Sequence, residues 1–75
     1  MSQWSEIFRE IAYTRKMKTG DTIKKMSKEM QISNIAFANL MNGIVKKPHR
    51  HVAREIVKFT QGALTMKDLG YDDYI

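Results

Sequence analysis

Residues 26–40 constrain the fold more than any other part of this chain. Small or apolar side chains recur there where two short helices joined by a tight turn would face each other: Met26, Ser27, Met30, Ile32, Phe37 and Leu40. Two such helices cross at roughly 90–120° and need a small residue at their closest approach, which Ser27 provides. The small side chains of Ala36 and Ala38 allow the two helices to cross closely. The pattern predicts a helix-turn-helix over about residues 22–42.

The remaining periodicity predicts an all-α chain. Apolar residues at helical spacing indicate helices over residues 3–17, 22–30, 34–41 and 51–60, with a short fifth helix over residues 66–69. Ser33 is a good N-cap for the third helix, Thr19 or Asp21 can cap the second, and Thr65 can cap the last. Trp4, Phe8 and Phe59 fall on apolar stripes, so we expect them in the core.

The length of 75 residues predicts a single domain over residues 1–75. The chain has no cysteine, so packing or pairing with another chain must stabilise it. No apolar run approaches the roughly 18 residues of a membrane span, and residues 1–6 lack the pattern of a signal peptide. We expect a cytoplasmic protein that does not associate with membranes.

The charge is unevenly distributed. Residues 1–61 carry 12 Lys and Arg against 5 Asp and Glu, whereas residues 62–75 carry one Lys against 3 Asp, within a net charge of +5. A basic body favours a polyanionic partner, although charge alone permits other partners.

Residues 27–44, which end in Asn42-Gly43-Ile44, resemble the helix-turn-helix of phage-lambda-type repressors and Cro-like regulators. Residues 60–69 are also similar to the tail of small Cro-like proteins, where a Thr-x-Gly stretch leads to Thr-x-x-Asp-Leu. Two positions depart from the family pattern. Gln31 stands where relatives usually have a glycine that often needs positive φ. Ile23 stands where many relatives have a glutamine that contacts phosphate and steadies a reading side chain.

The resemblance implies a compact five-helix, lambda-repressor-like domain that binds double-stranded DNA. It further implies a transcriptional repressor of phage or plasmid origin, which acts as a homodimer on a palindromic operator with half-sites about one helical turn apart.

The same resemblance assigns roles to particular residues. The helix that begins at Ser33 would enter the major groove and read bases through four residues: Ser33, Asn34, Ile35 and Asn39. Phosphate contacts would come from Thr22, Lys24, Asn42, Lys46, Lys47 and Arg50. The C-terminal residues 62–75 have more apolar surface than so short a segment can bury alone. They would form a dimer interface through Leu64, Leu69, Tyr71, Tyr74 and Ile75.

Other functions were weighed against DNA binding. Helical bundles that never meet DNA share this spacing, so a protein-interaction module such as an antitoxin or inhibitor is the main alternative, and an activator stays open. The sequence contains no nucleophile with a base, no phosphate loop and no ligand set, since His49 and His51 do not share a helix face. We therefore expect neither an enzyme nor a cofactor, metal or small-molecule substrate.

Overall fold

The computed structural model of the protein describes residues 3–71, with side chains from Trp4 onward. Four helices form over these residues: α1 (Gln3–Thr19), α2 (Ile23–Glu29), α3 (Asn34–Met41) and α4 (Arg50–Phe59). No strand occurs in this part of the chain. The prediction of an all-α fold is confirmed, and the four longer helices lie within a few residues of their expected positions.

The helix ends follow from local chemistry. The Thr22 hydroxyl accepts a hydrogen bond from the Lys25 amide at 3.1 Å, and the Ser33 hydroxyl accepts one from the Ala36 amide at 3.0 Å. Each side chain thereby satisfies one of the backbone donors that a helix leaves unpaired at its start. Ser33 is the predicted cap of α3, whereas the cap of α2 is Thr22 and not Thr19 or Asp21.

The fifth helix expected over residues 66–69 is not confirmed, because residues 66–70 form hydrogen-bonded turns. Thr65 and Asp68 hold this segment by reciprocal hydrogen bonds between the backbone of each residue and the side chain of the other. The Thr65 amide donates to Asp68 Oδ2 at 2.9 Å, and the Asp68 amide lies 3.3 Å from Thr65 Oγ1. So short a segment has no room for the repeated backbone hydrogen bonds that make a helix cooperative.

Three phenylalanines form the centre of the core and join α1, α3 and α4. The ring centroids of Phe8, Phe37 and Phe59 lie 5.2, 5.3 and 5.9 Å apart in pairs. These separations and the tilted planes are those of favourable aromatic pairs. Phe8, Phe59 and Trp4 are all buried, so the prediction that they belong to the core is confirmed.

Arg15 on α1 holds the start and the end of α2. Its guanidinium forms ion pairs with Asp21 at 3.0 Å and Glu29 at 2.8 Å, and it lies 4.6 Å from the centroid of the Phe59 ring. The hydrogen bond from Arg15 holds the pKa of Glu29 below its usual value. The pKa of Asp21 is also lowered, chiefly by a hydrogen bond from Lys25, with Thr19 and Arg15 contributing. Both carboxylates therefore stay ionised in the folded protein near neutral pH.

None of the helices within residues 3–71 is both long and apolar enough to cross a membrane.

Candidate nucleic-acid interface

The turn between α2 and α3 sets how α3 is presented. Gln31 has φ of +60°, in the left-handed region, and its amide donates to the Lys28 carbonyl at 3.0 Å. The next amide, that of Ile32, donates to the Ser27 carbonyl at 3.0 Å. This left-handed ending of a helix is the geometry that glycine usually supplies. The positive φ expected at this position is thus present, although the residue is glutamine.

One side of α3 is exposed. With about 3.6 residues per turn, Ile35, Asn39 and Asn42 lie opposite the buried Phe37 and Leu40. Ile35 is 75% exposed. This outward side of the helix is free of charged residues. It therefore offers amide and methyl groups, which can contact adenine and thymine in a major groove.

The four base-reading candidates are not equivalent in the structure. Ile35 projects outward, whereas Asn39 is half-buried beside a shallow apolar groove that Val45 and Val52 also line. Ser33 is exposed, and its oxygen already serves as the cap of α3. Ala38 lies on the same half of the helix as Ile35. Sequence reasoning assigned it only to packing, although helical periodicity would have placed it on the outward side.

Asn34 lies at the first position of α3 and contacts the preceding helix. The Ser27 hydroxyl donates to Asn34 Oδ1 at 2.6 Å and lies 3.1 Å from the Lys24 carbonyl. Ser27 is buried, whereas Asn34 is exposed. The contact thus joins the crossing point of the two helices to a side chain at their surface.

The cations of α2 divide between two flanks. On one flank, Lys25 forms an ion pair with Asp21 at 3.1 Å. Glu29, one turn further on the same flank, forms an ion pair with Arg15. Lys24 and Lys28, one turn apart, lie on the other flank beside Ser27. Lys24 was a predicted phosphate contact and is exposed, and so is Lys28, which sequence reasoning did not select.

Residues 46–50, here called the basic loop, connect to α4 and end at its first residue, Arg50. They contain three predicted phosphate contacts, Lys46, Lys47 and Arg50, all of them exposed. Two distant aromatic residues hold this loop. Trp4 Nε1 donates to the Lys46 carbonyl at 3.2 Å, and the Tyr71 hydroxyl donates to the Pro48 carbonyl at 2.6 Å.

The Tyr71 ring also gathers two of the cations of the basic loop. Its centroid lies 4.7 Å from Lys47 Nζ and 5.5 Å from Arg50 Cζ. Such cation–π contacts restrain long side chains while their charged ends stay in water. Sequence reasoning missed the roles of Trp4 and Tyr71 in the site, because their partners lie 42 and 23 residues away.

The remaining phosphate candidates are exposed as well. Thr22 immediately precedes α2 and Asn42 immediately follows α3, so both lie at helix ends. The Thr22 oxygen caps α2, and its hydroxyl proton can still be donated to another group.

The predicted dimer interface needs correction. Leu64 and Leu69 are each only 1% exposed and belong to the protein's own core, so they have no surface to offer a partner. Tyr71 is half-buried and already contacts the basic loop. Tyr74 and Ile75 lie outside the described residues. The sequence showed that these side chains are apolar, but not that Leu64 and Leu69 would join the same buried cluster as Phe8.

Comparison of the chain with protein-family models, with curated proteins and with solved structures finds no match.

Proposed function

We propose that the protein is a lambda-repressor-like helix-turn-helix regulator that binds double-stranded DNA with sequence preference. The observation that carries this proposal is the exposed, uncharged side of α3, with Ile35 projecting 75% of its surface into solvent. A solvated helix face usually carries charged side chains, whereas an uncharged face with amide groups and an exposed apolar side chain can hydrogen-bond adenine and pack on a thymine methyl.

In this proposal α3 lies in the major groove. Ile35 contacts a thymine methyl, and Asn34 and Asn39 read adenine through paired hydrogen bonds. Ser33 lies at the end of the helix that is nearest to the base edges. Thr22, Lys24, Asn42 and the basic loop contact phosphates, which adds affinity without sequence preference.

The proposed biological role is repression in the cytoplasm by occupation of a promoter. A homodimer would place two copies of α3 about one helical turn apart on a palindromic operator. With Leu64 and Leu69 buried in the core, the dimer contact must come from other residues.

Selection of bound duplexes from a random pool, at a salt concentration of about 150 mM, tests the proposal. We expect a palindromic consensus for the native chain. Asn39→Ala should lose preference at an adenine by roughly 5- to 150-fold, and Ile35→Ala should lose preference at a thymine. A native chain that enriches no consensus would refute sequence-specific recognition.

Titration of the affinity against salt concentration tests the phosphate contacts separately. Lys46→Ala and Lys47→Ala should weaken binding to all duplexes alike, and each should reduce the slope of log affinity against log salt by about 1. Lys58→Ala is the charge-matched control, because Lys58 lies near the other end of α4 from Arg50. An equal loss of slope in the control would mean that the net charge, and not the basic loop, determines binding.

A protein partner is the second candidate, favoured by the outward side of α1. Tyr13 is 53% and Met17 86% exposed, and they lie one turn apart. An antitoxin or inhibitor could use such a surface. Binding to random duplex that depends steeply on salt would argue against this candidate.

A further inference from the structure

From the contact between Ser27 and Asn34, we infer that Ser27 is a positioning residue for base recognition, acting through Asn34. The inference rests on the proposed function, because it concerns the preference of α3 for particular bases. Ser27 is only 2% exposed and cannot touch DNA itself. Its effect on recognition must therefore pass through a side chain that reaches the surface.

The hydrogen bond has the geometry for this role. The 2.6 Å between Ser27 Oγ and Asn34 Oδ1 is short even for a bond from a hydroxyl. The Lys24 carbonyl is the other acceptor near the hydroxyl, at 3.1 Å. The hydroxyl has a single proton, and the shorter distance favours Asn34 as its acceptor.

The bond leaves the reading groups of Asn34 available. An amide oxygen has two lone pairs, so Oδ1 can accept from Ser27 and from an adenine N6 amino group at once. The two protons on Nδ2 stay available for the adenine N7 atom. Because Asn34 lies at the exposed first position of α3, its side chain would otherwise sample several rotamers. Fixing one rotamer before binding removes part of the entropy cost of ordering it on DNA.

The burial of Ser27 also explains why a small polar residue suits this position. The crossing of α2 and α3 excludes a large side chain, and alanine would fit equally well. The hydroxyl therefore adds nothing to the packing, but it supplies a donor to the Asn34 amide.

The experiment compares four chains on a duplex pool randomised within the consensus: native, Ser27→Ala, Asn34→Ala and the double variant. Asn34→Ala should reduce the preference at one base pair of each half-site by roughly 5- to 150-fold. Ser27→Ala should reduce the preference at that same base pair by about 2- to 12-fold, the loss of one hydrogen bond. The other base pairs and the binding to random duplex should stay unchanged.

The double variant separates positioning from a direct effect. If Ser27 acts through Asn34, the double variant matches Asn34→Ala, because the second substitution has nothing left to position. An unchanged preference in Ser27→Ala overturns the inference. A loss spread equally over all base pairs, together with a lower thermal midpoint, also overturns it, since that is the result of a merely structural role.

Asn34→Asp provides a matched control. The carboxylate can still accept the hydrogen bond from Ser27 but cannot donate to adenine N7, so the position is kept and the reading is lost. Its thermal midpoint should equal or exceed that of the native chain, since an acidic residue suits the start of a helix.

A spectroscopic measurement distinguishes failure of this inference from failure of the proposed function. If the native chain selects no consensus, the proposed function fails. The order of the Asn34 side-chain amide, measured by nitrogen-15 relaxation in the free protein, still tests the positioning. It should fall in Ser27→Ala, and unchanged order would overturn the positioning role whatever the DNA results.

Discussion

Gln31→Gly should stabilise the protein, because the backbone at Gln31 is in a conformation that favours glycine. Its φ of +60° brings the Cβ of an L-residue close to the neighbouring carbonyl, and the side chain itself is exposed. Removing Cβ therefore relieves strain without opening a cavity. The substitution acts on the turn between α2 and α3, on which the presentation of α3 depends.

The magnitude follows from two opposing effects. A left-handed residue other than glycine costs about 1–2 kcal/mol. Glycine in turn gives the unfolded chain extra conformational freedom, which offsets about 0.4–1 kcal/mol of this gain in stability. The free energy of unfolding should therefore rise by about 0.5–1 kcal/mol, and the thermal midpoint of a domain this small by about 2–8 °C.

Urea and thermal unfolding, followed by circular dichroism at the helical band, would measure this difference. Gln31→Ala is the control, because alanine also deletes the side chain but keeps Cβ and the strain. It should stay within about 0.5 kcal/mol of the native chain. Gln61, with φ of +53°, should respond to glycine in the same direction. A Gln31→Gly chain no more stable than Gln31→Ala would refute the reasoning.

Three further substitutions or conditions test the packing and the ion pairs. Phe37→Ala should cost about 3–5 kcal/mol and remove most of the cooperative thermal transition, whereas Phe37→Leu should keep it; equal midpoints would contradict the aromatic core. The contribution of Glu29 and Asp21 to the free energy of unfolding should be fully present above their ordinary pKa values of 4.5 and 3.8. It should be lost as the pH falls through their lowered pKa values in the folded protein. Arg15→Met should reduce the part of this acid slope that comes from Glu29, in unfolding experiments between neutral and low pH, and an identical slope would mean that Arg15 does not cause it. Tyr71→Phe should lower the free energy of unfolding by about 1 kcal/mol, measured in urea, because the ring stays and only the hydroxyl is lost; no change would show that its hydrogen bond adds nothing.

Much of the candidate site could be predicted from local patterns. Ser33 as a cap and the outward position of Ile35 depend on residues within about one helical turn, where the spacing of side chains is dictated by backbone geometry. The positive φ at Gln31 was expected only from the resemblance to a family that usually has glycine at this position. The contact between Ser27 and Asn34 could not be predicted in the same way. The sequence indicates that a small residue is needed at the crossing, but the direction of a hydroxyl depends on how the two helices pack.

The C-terminal segment shows the limit of such reasoning. Leu64 and Leu69 are apolar in the sequence, and that property permits either a partner's surface or the protein's own core. In the structure they belong to the same buried cluster as the three phenylalanines. The outcome depends on the sum of long-range contacts, which no local window contains.

The sequence by itself determined where the four helices lie and where they break, because caps, left-handed turns and helical periodicity are interactions between near neighbours. The tertiary structure alone decided which surfaces remain for a partner. It brought Trp4 and Tyr71 to the basic loop and buried Leu64 and Leu69. The physical reason is that burial depends on which distant segments meet, whereas helix formation depends on hydrogen bonds only a few residues apart.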